Sequence, residues 1–415
     1  MPESPSKSRV LFLNRSYWPD NEATGQLLTE LCESLSSEFD VHVLAGQPNA
    51  VTDDEAWENV GERNGVVIHR VRHLTLPKSN IFLKAINFVS FAVAAWFKVV
   101  RVPRPDVVVF ETDPFLLPFV AQRLHRRSAV PMVGYLQDIY PDIAIALGKT
   151  RNSWMIRTLR KRMFNVYRSC FRMVVLSSDM KQLLLDSGIS EDRISIIPNW
   201  ADAEAIRPLP RSENEFLRRE QLTKRFVVMY SGNLGLTQRL EHFLNAAALI
   251  DDPEIEFVFI GRGATKRRLQ QLTDELHLDN VRFLDYQPRN ELPHSLSAAD
   301  LHIIVLADEL TQCLMPSKLY GILAAGRPYL TNARTGSALH STTVDENLGF
   351  VVGQNSAEEI AEAIRDAKAS PQRLDEMGRA GRTLAEERFT FKASRDSFRD
   401  ILKSASERPA SQGIA

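Results

Sequence analysis

Cysteine is scarce in this chain. Cys32, Cys170 and Cys313 are spread over 415 residues, far apart and odd in number. They form neither a disulfide framework nor a zinc-binding spacing, and a reducing, cytoplasmic setting fits them. No apolar run reaches the roughly 20 residues that span a bilayer. The longest, in residues 81–100 (IFLKAINFVSFAVAAWFKVV), is uncharged over only the 13 residues between Lys84 and Lys98. Residues 1–8 lack the apolar core of a signal peptide. With 51 basic and 52 acidic residues the net charge is −1, which implies no whole-molecule attraction to nucleic acid. None of the nine histidines joins a spaced cluster, and neither a serine-hydrolase elbow nor a Walker loop is present.

What is abundant is short apolar runs rich in valine, isoleucine and phenylalanine. In the first half they cover 10–13, 41–44, 66–71, 107–110, 132–136, 173–176 and 194–197. In the second half they cover 226–230, 257–260, 281–284, 301–306 and 329–331. Helix-like segments such as 25–35, 240–250, 264–276 and 318–325 lie between them. Strands alternating with helices predict parallel sheets with right-handed crossovers, and twelve strands are too many for one such sheet, so two α/β domains are expected. The polar, proline-containing stretch 199–215 reads as the linker. The expected division is 1–203, 204–390, a C-terminal helix 391–405 and a polar tail 406–415.

Candidate chemistry clusters at strand ends. After the run 10–13, Gly25 is expected to open a helix capped by Thr24, where backbone amides and the helix dipole suit an anion. The loop Tyr230-Ser231-Gly232-Asn233-Leu234-Gly235 follows a strand and leaves the backbone open to a phosphate. Gly261-Arg262-Gly263 ends the next strand and reads equally as turn chemistry. In PSKLYGILAAGRP, Ser317 is expected to cap a helix carrying Lys318 and Tyr320, pairing a helix N-terminus with a mobile cation; a capped helix with a solvated lysine is the plain alternative. Asp138, in GYLQDIYPD, could orient or deprotonate a hydroxyl. Glu111 and Asp113 stand one residue apart without an evident third ligand, so no metal site is assigned.

Two segments suit a membrane surface. Residues 81–100 read either as a buried helix or as a helix lying on a bilayer, edged by Lys84, Lys98, Arg101 and Arg104. Residues 149–172 hold eight basic residues and no acid, with Arg157, Arg160, Lys161 and Arg162 interleaved among Trp154, Met155, Leu159 and Phe164. A basic amphipathic helix of this kind fits an anionic lipid surface or a lipid-pyrophosphate acceptor; a solvated charged face is the alternative.

Taken in order, YWPDNEATGQLLTEL, LQDIYPDIAIALG, VVLSSDMKQLLLDSGISEDRISIIPNWAD, YSGNLGLTQRLEHFLNAA, FIGRGATKRRL and PSKLYGILAAGRP resemble the family 4 glycosyltransferases of the GT-B fold. The similarity covers nearly the whole chain and is greatest to the bacterial capsule, O-antigen and colanic-acid group. The resemblance implies two Rossmann-like parallel-sheet domains facing across a cleft, with the C-terminal helix returning to the first. It implies a retaining, metal-independent transfer without a cofactor, from a nucleotide-sugar donor, a UDP-sugar first among them. It also implies a lipid-linked saccharide acceptor and a cytoplasmic protein peripheral to the inner membrane face.

Residue by residue, Gly25 matches the first-domain glycine loop, Asp138 the polar position near the reacting sugar, and Gly232 the loop under the diphosphate. The wider family's two glutamates, with seven residues between them, are here Cys313 and Gly321, and its phosphate-binding arginine and lysine are Asn233 and Gln238. The cation for the diphosphate is then one of Lys318, Arg239 and Arg262, with Lys318 preferred. A nucleotide-sugar 2-epimerase and a non-catalytic nucleotide-sugar-binding partner remain the alternatives.

Overall fold

The computed structural model describes residues 7–20, 22–48, 61–76, 81–235 and 238–407. Residues 1–6, most of the expected polar tail (408–415) and the Lys84 side chain lie outside the described residues.

The chain divides into two compact units. The first comprises Met1–Pro198, Gln312–Leu314 and Ser394–Ala415, and the second Asn199–Thr311 and Met315–Ala393. The first holds an eight-stranded sheet of β1 (Arg9–Leu13), β2 (Asp40–Gly46), β3 (Glu62–Arg63), β4 (Val66–Val71), β5 (Val107–Phe110), β6 (Met132–Tyr135), β7 (Arg172–Val175) and β8 (Ile194–Ile196), in the order β3-β4-β2-β1-β5-β6-β7-β8. Only the short β3 runs antiparallel. The second holds β9 (Phe226–Ser231), β10 (Ile255–Ile260), β11 (Val281–Leu284), β12 (Leu301–Ile304), β13 (Tyr329–Thr331) and β14 (Gly349–Val351), all parallel, in the order β11-β10-β9-β12-β13-β14. The two-sheet α/β architecture is the one expected. Two strands are absent from the expectation: β3 is Glu-Arg, with no apolar residue to mark it, and β14 is a three-residue strand that opens on Gly349.

The continuous apolar runs follow from burial on both faces of parallel sheets. On β9, Val228 and Tyr230 join one core with Phe257 and Phe259 of β10, while Val227 and Met229 join a second core with Val258 and Ile260. Each such side chain stabilises the fold by about 1.5–3 kcal/mol when fully buried.

Five helices of the first unit matter for function: α1 (Ala23–Leu35), α2 (Ile81–Lys98), α3 (Leu117–Ser128), α4 (Asp142–Ala146) and α5 (Trp154–Arg168). The C-terminal helix Phe391–Ser406 is tied to the first unit by three contacts. Phe398 packs on Tyr135 with ring centroids 4.7 Å apart, Ser394 Oγ donates to the Pro198 carbonyl at 3.0 Å, and Lys403 pairs with Glu38 at 2.6 Å.

Candidate active site

In the second unit the ends of β9 and β10 interlock. Gly232 has φ +145° and Gly261 φ +146°, both forbidding to side chains. Gly232 N donates to the Ile260 carbonyl and Leu234 N to the Arg262 carbonyl, each at 2.9 Å. A Cβ at Gly261 would lie 1.9 Å from the Gly232 carbonyl oxygen, and one at Gly263 2.1 Å from that of Leu234. Gly261 and Gly263 are therefore explained by chain packing, and they hold the Gly232–Leu234 loop in place.

Lys318 points into this loop. Its Nζ sits 3.4 Å from the centroid of the Tyr230 ring, and a Cβ at Gly232 would approach that nitrogen to 3.3 Å. The Tyr230 hydroxyl donates to the Asn233 carbonyl at 2.8 Å, which fixes the ring beneath the amine. The Lys318 stem is half-buried, but Nζ itself is buried and has no hydrogen-bond partner. Desolvation holds the amine well below its ordinary range of protonation. A buried amine with no acceptor is costly, and a diphosphate oxygen supplies both the missing acceptor and the missing charge.

The other two candidate cations are engaged elsewhere. Arg239 pairs with Glu309 at 3.3 Å. Arg262 lies 3.5 Å from Asp285, which Lys266 also holds at 3.1 Å; these hydrogen bonds, Lys266 first, keep the Asp285 carboxyl below its usual range. Both arginines are exposed and paired with carboxylates, so Lys318 is the one of the three without a carboxylate partner.

Three local expectations need correction. Ser317 does not cap the helix Lys318–Ala324: its backbone is already helical (φ −63°, ψ −25°) and its side chain bonds no backbone amide, whereas a cap needs an extended backbone. Thr24 does not cap α1, because the helix begins at Ala23 with an extended Glu22 before it. Tyr320, expected with Ser317 among the donor-binding residues, is a core residue. Its ring packs edge-on against Phe389 with centroids 5.2 Å apart, and its hydroxyl is hydrogen-bonded to the Asn199 backbone.

In the first unit Gly25 lies inside the first turn of α1, where a Cβ would meet Ser16 Oγ at 2.7 Å and the Ser16 carbonyl carbon at 3.2 Å. Glycine is required there by the close approach of the β1–α1 loop. Asp138 follows β6, is half-buried, and its backbone amide donates to the Thr112 hydroxyl oxygen at 3.3 Å. It bridges to Leu314 in an antiparallel pair, and Ile139 N donates to the Cys313 carbonyl at 2.9 Å. Glu111 and Asp113 do not act as a pair. Asp113 is held by Arg15 at 2.8 and 3.1 Å, while Glu111 is fully buried with both oxygens unpartnered, and burial pushes its carboxyl well up.

The basic helix is α5, capped by Ser153, whose side chain accepts from Ile156 N. Arg157, Lys161 and Arg162 are exposed. Arg160 is not part of that outward surface: it is bound to both Asp142 oxygens at 2.8 and 3.0 Å and lies over Phe164. It sits on the inward stripe with Phe164 and Tyr167, four and seven residues on. The α2 helix is not wholly buried either. Phe91 and Ala95 face inward, while Ile86, Val89, Val93, Trp96 and Phe97 are exposed, Phe97 by 57%. Nothing in the sequence marks the Tyr230 ring as the platform under Lys318 or Trp96 as an exposed side chain, because an aromatic in a strand or an apolar helix reads as ordinary core.

The model of family 4 glycosyltransferases matches residues 24–205, and the model of group 1 glycosyl transferases matches residues 212–384. The chain is 25% identical over 299 residues to the probable glycosyltransferase WbjE of Pseudomonas aeruginosa, covering 72% of this chain and 74% of that protein. It is 24% identical over 380 residues to the putative colanic acid biosynthesis glycosyl transferase WcaI of Escherichia coli, covering 88% and 93%. Among solved structures, Anabaena HepE in complex with UDP and glucose superposes with a TM-score of 0.73 at 16% identity, over 96% of this chain and 100% of that one. The lipopolysaccharide glycosyltransferase WaaG gives 0.68 at 15%, over 94% and 99%. These two structural likenesses carry the GT-B fold. With a family 4 glycosyltransferase domain over its first half and a group 1 glycosyl transferase domain over its second, the chain is a glycosyltransferase.

Proposed function

We propose that this glycosyltransferase moves a sugar, with retention, from a UDP-sugar to a lipid-linked saccharide in cell-surface polysaccharide synthesis, at an anionic membrane face and without a metal ion. The observation that carries the donor half is the buried, unpartnered Lys318 amine over Tyr230 beside the Gly232 loop. HepE binds UDP and UDP-glucose, which favours uridine. The names of WcaI and of the Rhizobium lipopolysaccharide core transferase LpsD favour a surface-polysaccharide product. The outward cations Arg157, Lys161 and Arg162 favour an anionic surface, and no helix among the described residues is long and apolar enough to cross a membrane.

As the bond from the anomeric carbon to the diphosphate oxygen breaks, negative charge grows on the diphosphate. Lys318 and the loop amides at Gly232–Leu234 stabilise it where the charge develops. The acceptor hydroxyl attacks the same face, oriented by Asp138, and its proton passes to the departing diphosphate. Asp138→Asn is expected to lower kcat by roughly a hundredfold with UDP affinity unchanged. An unaltered kcat would remove Asp138 from the mechanism.

A panel of UDP-, GDP-, dTDP- and ADP-sugars tests the donor reading by thermal stabilisation. A donor at 100 times its Kd adds about 2.7 kcal/mol. A shift selective for uridine and unchanged by chelator is the expected result. No shift with any donor contradicts the reading, and a shift without transfer to any acceptor favours a non-catalytic binding role.

A further inference from the structure

Between α2, α3 and α5, all within the first unit, lies a groove of about 820 Å³. Its walls include Trp96 from α2, Phe119 and Arg126 from α3, and Trp154, Met155 and Arg162 from α5. Trp154 and Met155 are 69% and 60% exposed, so the groove is lined by large apolar side chains that this unit leaves in contact with water. Such patches mark binding surfaces. The exposed stripe of α2 continues from its edge, and Arg123 lies over Trp96 and Phe97 at 4.7 and 5.7 Å.

The charge around the groove has one sign. The three helices carry ten lysines and arginines and not one aspartate or glutamate. Arg126 and Arg162 enter from different helices, so two guanidinium groups flank one apolar trough. A guanidinium matches phosphate oxygens two at a time, and the trough between them suits a hydrocarbon chain. One wall of the groove, α5, is also tied to α4. Met155, Thr158 and Arg162 on one flank of α5 line the groove, while Arg160 on its inner flank grips Asp142, four residues beyond Asp138.

The geometry points to a single-lipid site: the α2–α3–α5 groove binds a lipid diphosphate, the chain along Trp96, Phe119 and Met155 and the phosphates on Arg126 and Arg162. The occupant is the lipid part of the acceptor. This deepens the transfer reading above, and only the sugar carried by the lipid rests on that reading.

The test uses the full chain and farnesyl diphosphate in neutral detergent micelles, titrated by calorimetry against inorganic diphosphate, farnesol and phosphatidylglycerol vesicles. Farnesyl diphosphate is expected to bind at least about tenfold more tightly than either inorganic diphosphate or farnesol. Arg126→Ala with Arg162→Ala, and separately Thr158→Trp to fill the trough, should each weaken it about tenfold or more with the UDP Kd unchanged. Inorganic diphosphate binding as tightly as the lipid would overturn the site, since an anion patch alone would explain it. Phosphatidylglycerol vesicles binding as tightly, and indifferently to Thr158→Trp, would overturn it in favour of a flat membrane dock. Lipid binding that persists while UDP fails to bind supports the groove and counts against the donor reading.

Discussion

Lys318→Met lowers turnover by on the order of a hundredfold or more while leaving the second unit folded. The variant keeps the length of the side chain and its packing over Tyr230, and it removes an amine whose burial without a partner disfavours the empty site. Its Tm should therefore match or exceed that of the native chain, and the loss should appear in kcat and in UDP affinity. Lys318→Arg is not a rescue, because a guanidinium cannot enter the space between the Tyr230 ring and Gly232 without displacing one of them.

The same residue makes donor binding depend on pH. In the empty site, burial holds the amine below its ordinary pKa of 10.5, and a bound diphosphate raises it again. Between those two values binding takes up a proton, so UDP affinity weakens as pH rises through the window, by up to about tenfold per pH unit. Tyr230 below the amine stays protonated, because burial raises its phenol. His302 on β12 stays neutral, because burial lowers it to about 4. Neither group contributes to this slope at neutral pH, and Lys318→Met should abolish it.

Gly261→Ala is the second large effect, and it acts on stability. The added methyl group would sit 1.9 Å from the Gly232 carbonyl oxygen, at a φ of +146° that side chains rarely adopt. Backbone strain and overpacking each typically cost about 1–3 kcal/mol. A loss of roughly 3 kcal/mol lowers the Tm of a unit this size by about 6 °C or more. Because Gly261 supports the loop that faces Lys318, UDP affinity should fall with it. A Tm within about 1 °C of native would show that β9 and β10 do not interlock as described.

Much of this architecture was legible in the residues. Parallel strands buried on both faces must be continuous apolar runs, and 66–71, 107–110, 281–284 and 329–331 coincide with strands to the residue. What escaped depends on backbone angles and on the direction of single side chains. A serine before a helical run looks like a cap, but Ser317 is already helical. Eight cations in one segment look like a solvated face, and only the fold turns Arg160 onto Asp142. The apolar stripe of α2 has the same composition whether it is buried or exposed. Lysine is ordinarily a solvated residue, so nothing in PSKLYG announces that the Lys318 amine is buried without a partner.

The central claim is that Lys318 is the cation that receives the donor's diphosphate. It is tested most directly by calorimetry of UDP binding to the native chain and to Lys318→Met, at about pH 8 in buffers of different ionisation enthalpy. The native chain is expected to take up a proton, in part or whole, on binding UDP. The variant is expected to take up none and to bind at least about tenfold more weakly. Lys318→Met binding UDP as tightly as the native chain would contradict it.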